Sequence, residues 1–112
     1  MPINYLLVEV LRVYHRYLGA GFQVECPTGS GRLMSLDAVA DELAARLVAL
    51  FTDDSGRRPV FGAAERFQAD PSWHDLLPFH EYFNGDTGAG LGASHQTGWT
   101  GLVADLILTR RR

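Results

Sequence analysis

The sequence predicts an all-α fold of helical hairpins, and three observations carry that prediction. Apolar residues recur at helical spacing over residues 4–18, 36–51 and 98–109. Stretches rich in Gly, Pro, Ser and Thr separate these runs, the clearest being Cys26–Gly31. Two helices joined by such a loop are expected to pack against each other, so the helix–loop–helix rhythm suits a ring of hairpins. Residues 1–112 are expected to form one domain, because a chain of that length buries about two-thirds of its unfolded surface around one core.

The first predicted helix, Asn4–Leu18, carries Leu6, Leu7, Val10, Leu11, Tyr14 and Leu18 as an i, i+3, i+4 stripe. Ile3, Val8, Val13 and Tyr17 fall outside it and spread apolar character around the cylinder, as in a helix set between other elements. Gly19–Gly21 ends the helix. Ser35 stands where it can cap a second helix, Leu36–Phe51, whose stripe runs through Leu36, Val39, Ala40, Leu43, Leu47, Leu50 and Phe51. Asp37, Asp41, Glu42 and Arg46 lie mostly opposite, with Glu42 and Arg46 at a favourable i, i+4 spacing.

Asp53–Arg58 reads as a polar turn, and Pro59 bars the helix from resuming there. Val60–Gln68 reads equally as a short extended piece or as irregular chain. Asp70–Pro71 opens a turn of helix over Ser72–Leu77, with Asp as cap and Pro in first position, before Pro78 stops it. The last helix, Gly98–Thr109, sets Trp99, Leu102, Val103, Leu106 and Ile107 on one face.

With 46% hydrophobic and 21% charged residues the chain has a folding composition. A net charge of −3 argues against a nucleic-acid partner. The ten basic residues are all Arg, three of them the terminal Arg110, Arg111 and Arg112, which read as a solvated end to the last helix. Cys26 is the lone cysteine, so neither an internal disulfide nor a thiolate metal cluster is expected. His15, His74, His80 and His95 show no metal-ligand spacing, and neither metal nor cofactor is expected. No apolar run is long enough to span a bilayer and no targeting leader is recognisable, so the expected setting is the cytoplasm, away from membranes.

The chemistry-bearing segment is Glu81–Thr100, EYFNGDTGAGLGASHQTGWT. Taken by composition, Glu81 is an exposed loop carboxylate. Its surroundings set it apart: Phe79, His80, Tyr82 and Phe83 flank it, and glycines 85, 88, 90 and 92 come after it. That loop is neither a P-loop, lacking Gly-Lys-Ser/Thr, nor a dinucleotide fingerprint, which would open a helix straight after a strand. Glycines at this density serve tight turns or close approach of the backbone to a ligand. His95 and Trp99 stand four residues apart at the start of the last helix. Trp99 fits two readings, a flat face for a sugar ring or the first core anchor of its helix. Glu65, in Glu65-Arg66-Phe67-Gln68, copies part of the Glu81 pattern without the subsequent Thr-Gly and reads as structural.

This segment resembles the C-terminal catalytic motif of glycoside hydrolase family 63, the processing α-glucosidases and their bacterial relatives. The likeness rests on Glu81, Tyr82, Phe83 and Asn84, then Thr87-Gly88, a glycine-rich loop and Gly98-Trp99. NYLLVEVL, VECPTGSG and RPVFG…ERFQADPSW are similar to the bacterial branch, which includes glucosidases and mannosylglycerate hydrolases, so the resemblance covers nearly the whole chain.

The resemblance implies the C-terminal part of a six-hairpin α/α toroid and an inverting α-glycosidase acting on α-glucosides or glycosylglycerates. It assigns Glu81 as general base, with His95, Trp99, Tyr82 and Gly90 on the substrate wall. The paired acid of an inverting enzyme stands about 6.5–9.5 Å from the base. In the family it is an Asp from an earlier hairpin, and no aspartate here matches it. Asp37, Asp41, Asp53, Asp54, Asp70, Asp75, Asp86 and Asp105 read as helix-surface, turn or cap residues. The expected partners are therefore a carbohydrate substrate and the missing N-terminal part of the toroid. The alternative is a non-catalytic helical module that binds sugar or completes a partner.

Overall fold

The first two helical runs form, but the all-α expectation of stacked hairpins in a toroid is overturned, because two small antiparallel sheets stand among the helices. The computed structural model describes residues 1–110, so the reading of Arg111 and Arg112 as part of a basic helix end lies outside the described residues. The chain divides into two compact units, one of Pro2–Ala45 and one from Arg46 onward with Met1.

In the first unit, α1 spans Pro2–Leu18. Its inward residue is Val8, which the predicted stripe leaves out, while Leu6, Leu7, Val10, Tyr14 and Leu18 of that stripe are exposed. The half-buried neighbours of Val8 include Glu9, Leu11, Arg12 and His15, a mixed face. The more apolar side of α1 therefore points outward.

In place of the single expected loop there is a hairpin, β1 (Gln23–Glu25) paired with β2 (Leu33–Ser35) in the register Gln23↔Ser35, Val24↔Met34, Glu25↔Leu33. The Gly- and Pro-rich stretch is its turn. Gly29 and Gly31 supply positive φ values of 82° and 74°, and the Cys26 amide donates to the Arg32 carbonyl at 2.9 Å. Strands three residues long are too short to write a period-two pattern, which is why the sequence concealed them.

Helix α2, Leu36–Ala49, comes directly after β2. Ser35 caps it as expected, its Oγ accepting from the Ala38 amide at 3.2 Å. Ala40 and Ala44 are fully buried, and Arg12 of α1 reaches Asp41 at 3.2 Å.

The second unit begins within the last turn of α2, at Arg46. The predicted turn after the helix closes tightly: Asp54 and Arg57 exchange backbone hydrogen bonds of 3.0 and 3.1 Å around Ser55 and Gly56, both at positive φ. That geometry is a two-residue primed turn. Beyond it the ambiguous stretch resolves into a 3₁₀ turn, Pro59–Phe61, and a short helix α3, Glu65–Ala69. Pro59 opens the 3₁₀ turn at a position where its missing N–H costs nothing.

Asp70 closes α3 and caps the next segment, its Oδ1 accepting from the Ser72 amide at 2.8 Å. The helical turn expected there stays a run of turns, with the Trp73 and His74 amides both bonded to the Asp70 carbonyl at 2.9 Å. Strands β3 (Tyr82–Phe83) and β4 (Gly90–Leu91) pair as Tyr82↔Leu91 and Phe83↔Gly90. The predicted last helix is divided into α4, Thr97–Thr100, and α5, Val103–Thr109.

The core of this unit holds Val48, Phe51, Val60, Phe61, Val103 and Leu106. Phe51 packs edge-on to Phe83 at 5.8 Å between ring centroids and meets Phe79 at 6.3 Å. These rings tie the Glu81 segment to the end of α2. Among the polar groups, Gln68 is buried and fully used. Its Oε1 accepts from the Arg58 amide at 2.8 Å, and its Nε2 donates to the Arg58 and Gly62 carbonyls at 2.9 and 3.1 Å.

Candidate functional site

Glu81 sits where the chain leaves the Phe79–His80 stretch and enters β3. The segment is laced to residues 93–96: the Phe79 amide bonds Ser94 at 2.9 Å, the Glu81 amide bonds Ala93 at 2.8 Å, and the Gln96 amide returns to Phe79 at 2.8 Å. Glu81 is half-buried, and its Oε2 accepts from the Ala93 amide at 3.4 Å. Both backbone groups of Ala93 therefore face Glu81, one taken by its amide and one by its carboxylate.

Between the two arms lies the Asn84–Ala89 loop, and it is built by Asn84. The Asn84 Oδ1 accepts from the Asp86 and Thr87 amides at 2.9 and 3.0 Å, while its carbonyl takes the Gly88 amide at 2.8 Å. Gly88 is at φ +78° with Pro59 and Leu50 against it, so a side chain there meets both strain and collision. Gly90 lies against the His80 ring, leaving no space for a Cβ.

The five sequence-predicted site residues meet different fates. Tyr82 is adjacent to Glu81 and 54% exposed, and Gly90 pairs with Phe83 in the same small sheet. His95 bridges to Phe79 through its backbone and is exposed. Trp99 is 49% exposed, while its neighbour Thr100 is fully buried, so the core anchor at that end is Thr100.

A cavity of about 710 Å³ opens beside this segment, within the size range of small-molecule pockets. Phe61, Phe67 and Trp73 form its aromatic wall, with Phe67 and Trp73 edge-on at 5.4 Å, and His80 and Ser94 are among the residues that line the rest. Gly90 lines it; Glu81, Tyr82, His95 and Trp99 do not. Sequence reasoning passed over this wall because Phe67 and Trp73 lie in stretches without a clear period.

The other carboxylates have local duties. Glu65 forms a two-pronged pair with Arg57 at 2.8 and 3.2 Å, which holds its carboxyl below the usual glutamate range. Asp53 and Asp75 flank His74, each at 3.2 Å from a ring nitrogen, and Asp75 also meets Arg58 at 3.3 Å. Among the described residues no three His, Cys, Asp or Glu side chains gather as a metal site, and no helix is long and apolar enough to cross a membrane.

No family model matches the chain, and no solved structure matches it. The chain is similar to Uncharacterized protein YMR196W of Saccharomyces cerevisiae, with 49% identity over 109 residues. That match takes in 95% of this chain and 10% of the yeast protein, so the chain spans about a tenth of the length of the curated relative it matches.

Proposed function

We propose that this chain carries the general base and part of the substrate wall of an inverting α-glycosidase acting on α-glucosides or glycosylglycerates. The observation that supports the reading most is the setting of Glu81. A half-buried carboxylate, seated by the backbone of Ala93 and flanked by the half-exposed ring of Tyr82, has the fixed position a base needs. In the proposed step Glu81 takes a proton from a water whose oxygen bonds to the anomeric carbon. An acid on the opposite side protonates the departing glycosidic oxygen as its bond to carbon breaks. That acid comes from polypeptide outside this chain, and the yeast relative, with this segment as a tenth of its length, has room for it. We place the activity in the cytoplasm, in keeping with a single cysteine, and expect no nucleic-acid partner for a chain of net charge −3.

The test uses a full-length polypeptide containing this segment. Its hydrolysis of an α-linked substrate, monitored by proton NMR, is expected to release the β-anomer first. Glu81→Gln should lower kcat by at least about 10³-fold, the loss of a base together with its charge. First release of the α-anomer, or full activity in Glu81→Gln, overturns the assignment. Hydrolysis by these 112 residues alone, lost in Glu81→Gln, overturns the claim that the acid lies elsewhere.

A second reading has its own support in the outward apolar side of α1. Ile3, Leu6, Val10, Val13 and Tyr17 recur at spacings of three and four, and Ile3 and Tyr17 are 81% and 84% exposed. Under this reading the chain is a module that binds sugar or completes a partner without catalysing anything. Size-exclusion chromatography with a glucoside-binding assay decides it: a well-folded monomer without affinity for glucosides disposes of the module.

A further inference from the structure

Resting on the assignment of Glu81 as base, we propose that Thr100 and Gly92 are positioning residues for its carboxylate, Thr100 by fixing the preceding peptide and Gly92 by leaving the space the carboxylate occupies. Thr100 is fully buried at the end of α4, and its hydroxyl donates to the carbonyl of His80, the residue immediately before Glu81. That contact spans twenty residues of sequence. The same short helix is tied to the segment at its other end, where the Gln96 amide donates to the Phe79 carbonyl at 2.8 Å. Two consecutive carbonyls ahead of Glu81 are thus held from α4 and the residue before it. A buried hydroxyl that leaves its partner costs a desolvated carbonyl as well as a bond, so the arrangement is stiff.

Gly92 acts from the other side. It adopts φ +70°, and a Cβ built there stands 2.8 Å from the Glu81 Oε2 and 2.7 Å from Cε1 of Tyr82. Any side chain at 92 therefore displaces the carboxylate or the ring, in addition to straining the backbone. Ala93, next in sequence, supplies the amide that the carboxylate accepts. Floor and wall of the Glu81 seat are consecutive residues of one strand-like arm, and Thr100 locks the opposing arm.

A conservative pair of substitutions separates positioning from mere packing. Thr100→Val keeps the buried shape and removes the hydroxyl; Thr100→Ser keeps the hydroxyl. The first readout is the Ala93 amide in proton–nitrogen NMR of this chain, with Glu81→Gln marking the shift caused by loss of the charged acceptor. Thr100→Val is expected to move the Ala93 amide in the same direction as Glu81→Gln, and Thr100→Ser to leave it in place. Gly92→Ala, at an exposed position that disturbs no core contact, is expected to move it as well.

The second readout is kinetic, in the full-length polypeptide. Thr100→Val and Gly92→Ala should lower kcat by about 10²-fold, the order expected for a misplaced catalytic group, with KM changed less than about threefold. Folded Thr100→Val and Gly92→Ala proteins with an unmoved Ala93 amide overturn the proposal. So does equal damage from Thr100→Ser and Thr100→Val. If the Ala93 amide responds as expected while Glu81→Gln keeps full activity, positioning stands and the glycosidase reading falls. If Glu81→Gln is inactive and neither positioning variant moves the amide or kcat, the reverse holds.

Discussion

Gln68 satisfies two groups of Arg58 and one of Gly62 with a single amide, so its removal leaves three backbone atoms without their partner. Gln68→Ala is expected to lower stability by about 2–4 kcal/mol, at about 1 kcal/mol for each orphaned group, seen as an earlier urea midpoint with unchanged slope. The Arg57–Glu65 pair acts differently because it lies at the surface. Arg57 depresses the Glu65 pKa by hydrogen bond and charge, so the pair's contribution is complete above the unfolded glutamate value and fades as pH falls through the lower folded one. Wild type and Arg57→Gln should therefore differ in urea midpoint at pH 7, and the difference should shrink below about pH 4. Residues whose partners are near in sequence were legible. Ser35 as a helix cap arises from a local hydrogen bond that sequence spacing displays; Asp70 makes the capping bond its position suggested, but the helical turn expected beyond it does not form. Gln68 and Thr100 have partners ten and twenty residues away, and no local pattern announces such bonds.

At the level of elements, the two long helices declared themselves, while the strands and the short helix α3 did not. Helix α2 has fourteen residues over which a 3.6-residue period can accumulate, whereas β3 and β4 have two residues each and are defined only by mutual pairing. Their existence depends on the Asn84 loop, whose side-chain hydrogen bonds turn the chain back on itself. Helix α1 teaches a separate lesson: its period is as expected, but the apolar spread that suggested a helix between other elements is largely exposed. Hydrophobic spacing identifies a helix but cannot say which side meets the rest of the chain when apolar residues surround it. Because Ser35 both ends β2 and caps α2, Ser35→Ala should cost about 1 kcal/mol, measured by thermal or urea unfolding. Ser35→Asp should recover most of it.

For the molecule as a whole, the candidate site was legible as a motif and not as a shape. The sequence singled out Glu81, Tyr82, Gly90, His95 and Trp99, and the fold brings Glu81, Tyr82 and Gly90 onto one small sheet and its edge. The cavity beside them takes its wall from Phe61, Phe67 and Trp73, residues joined only through folding. The outward side of α1 makes a further prediction at this scale. Val10→Glu and Tyr17→Glu, both at exposed positions, should each change stability by no more than about 0.5 kcal/mol while markedly reducing self-association and dye binding in solution. A cell reads such a surface much as it reads an unfinished protein. Left uncovered, α1 would mark the polypeptide for chaperone capture and proteolysis, so its abundance would be set by how quickly that helix is sheltered after synthesis.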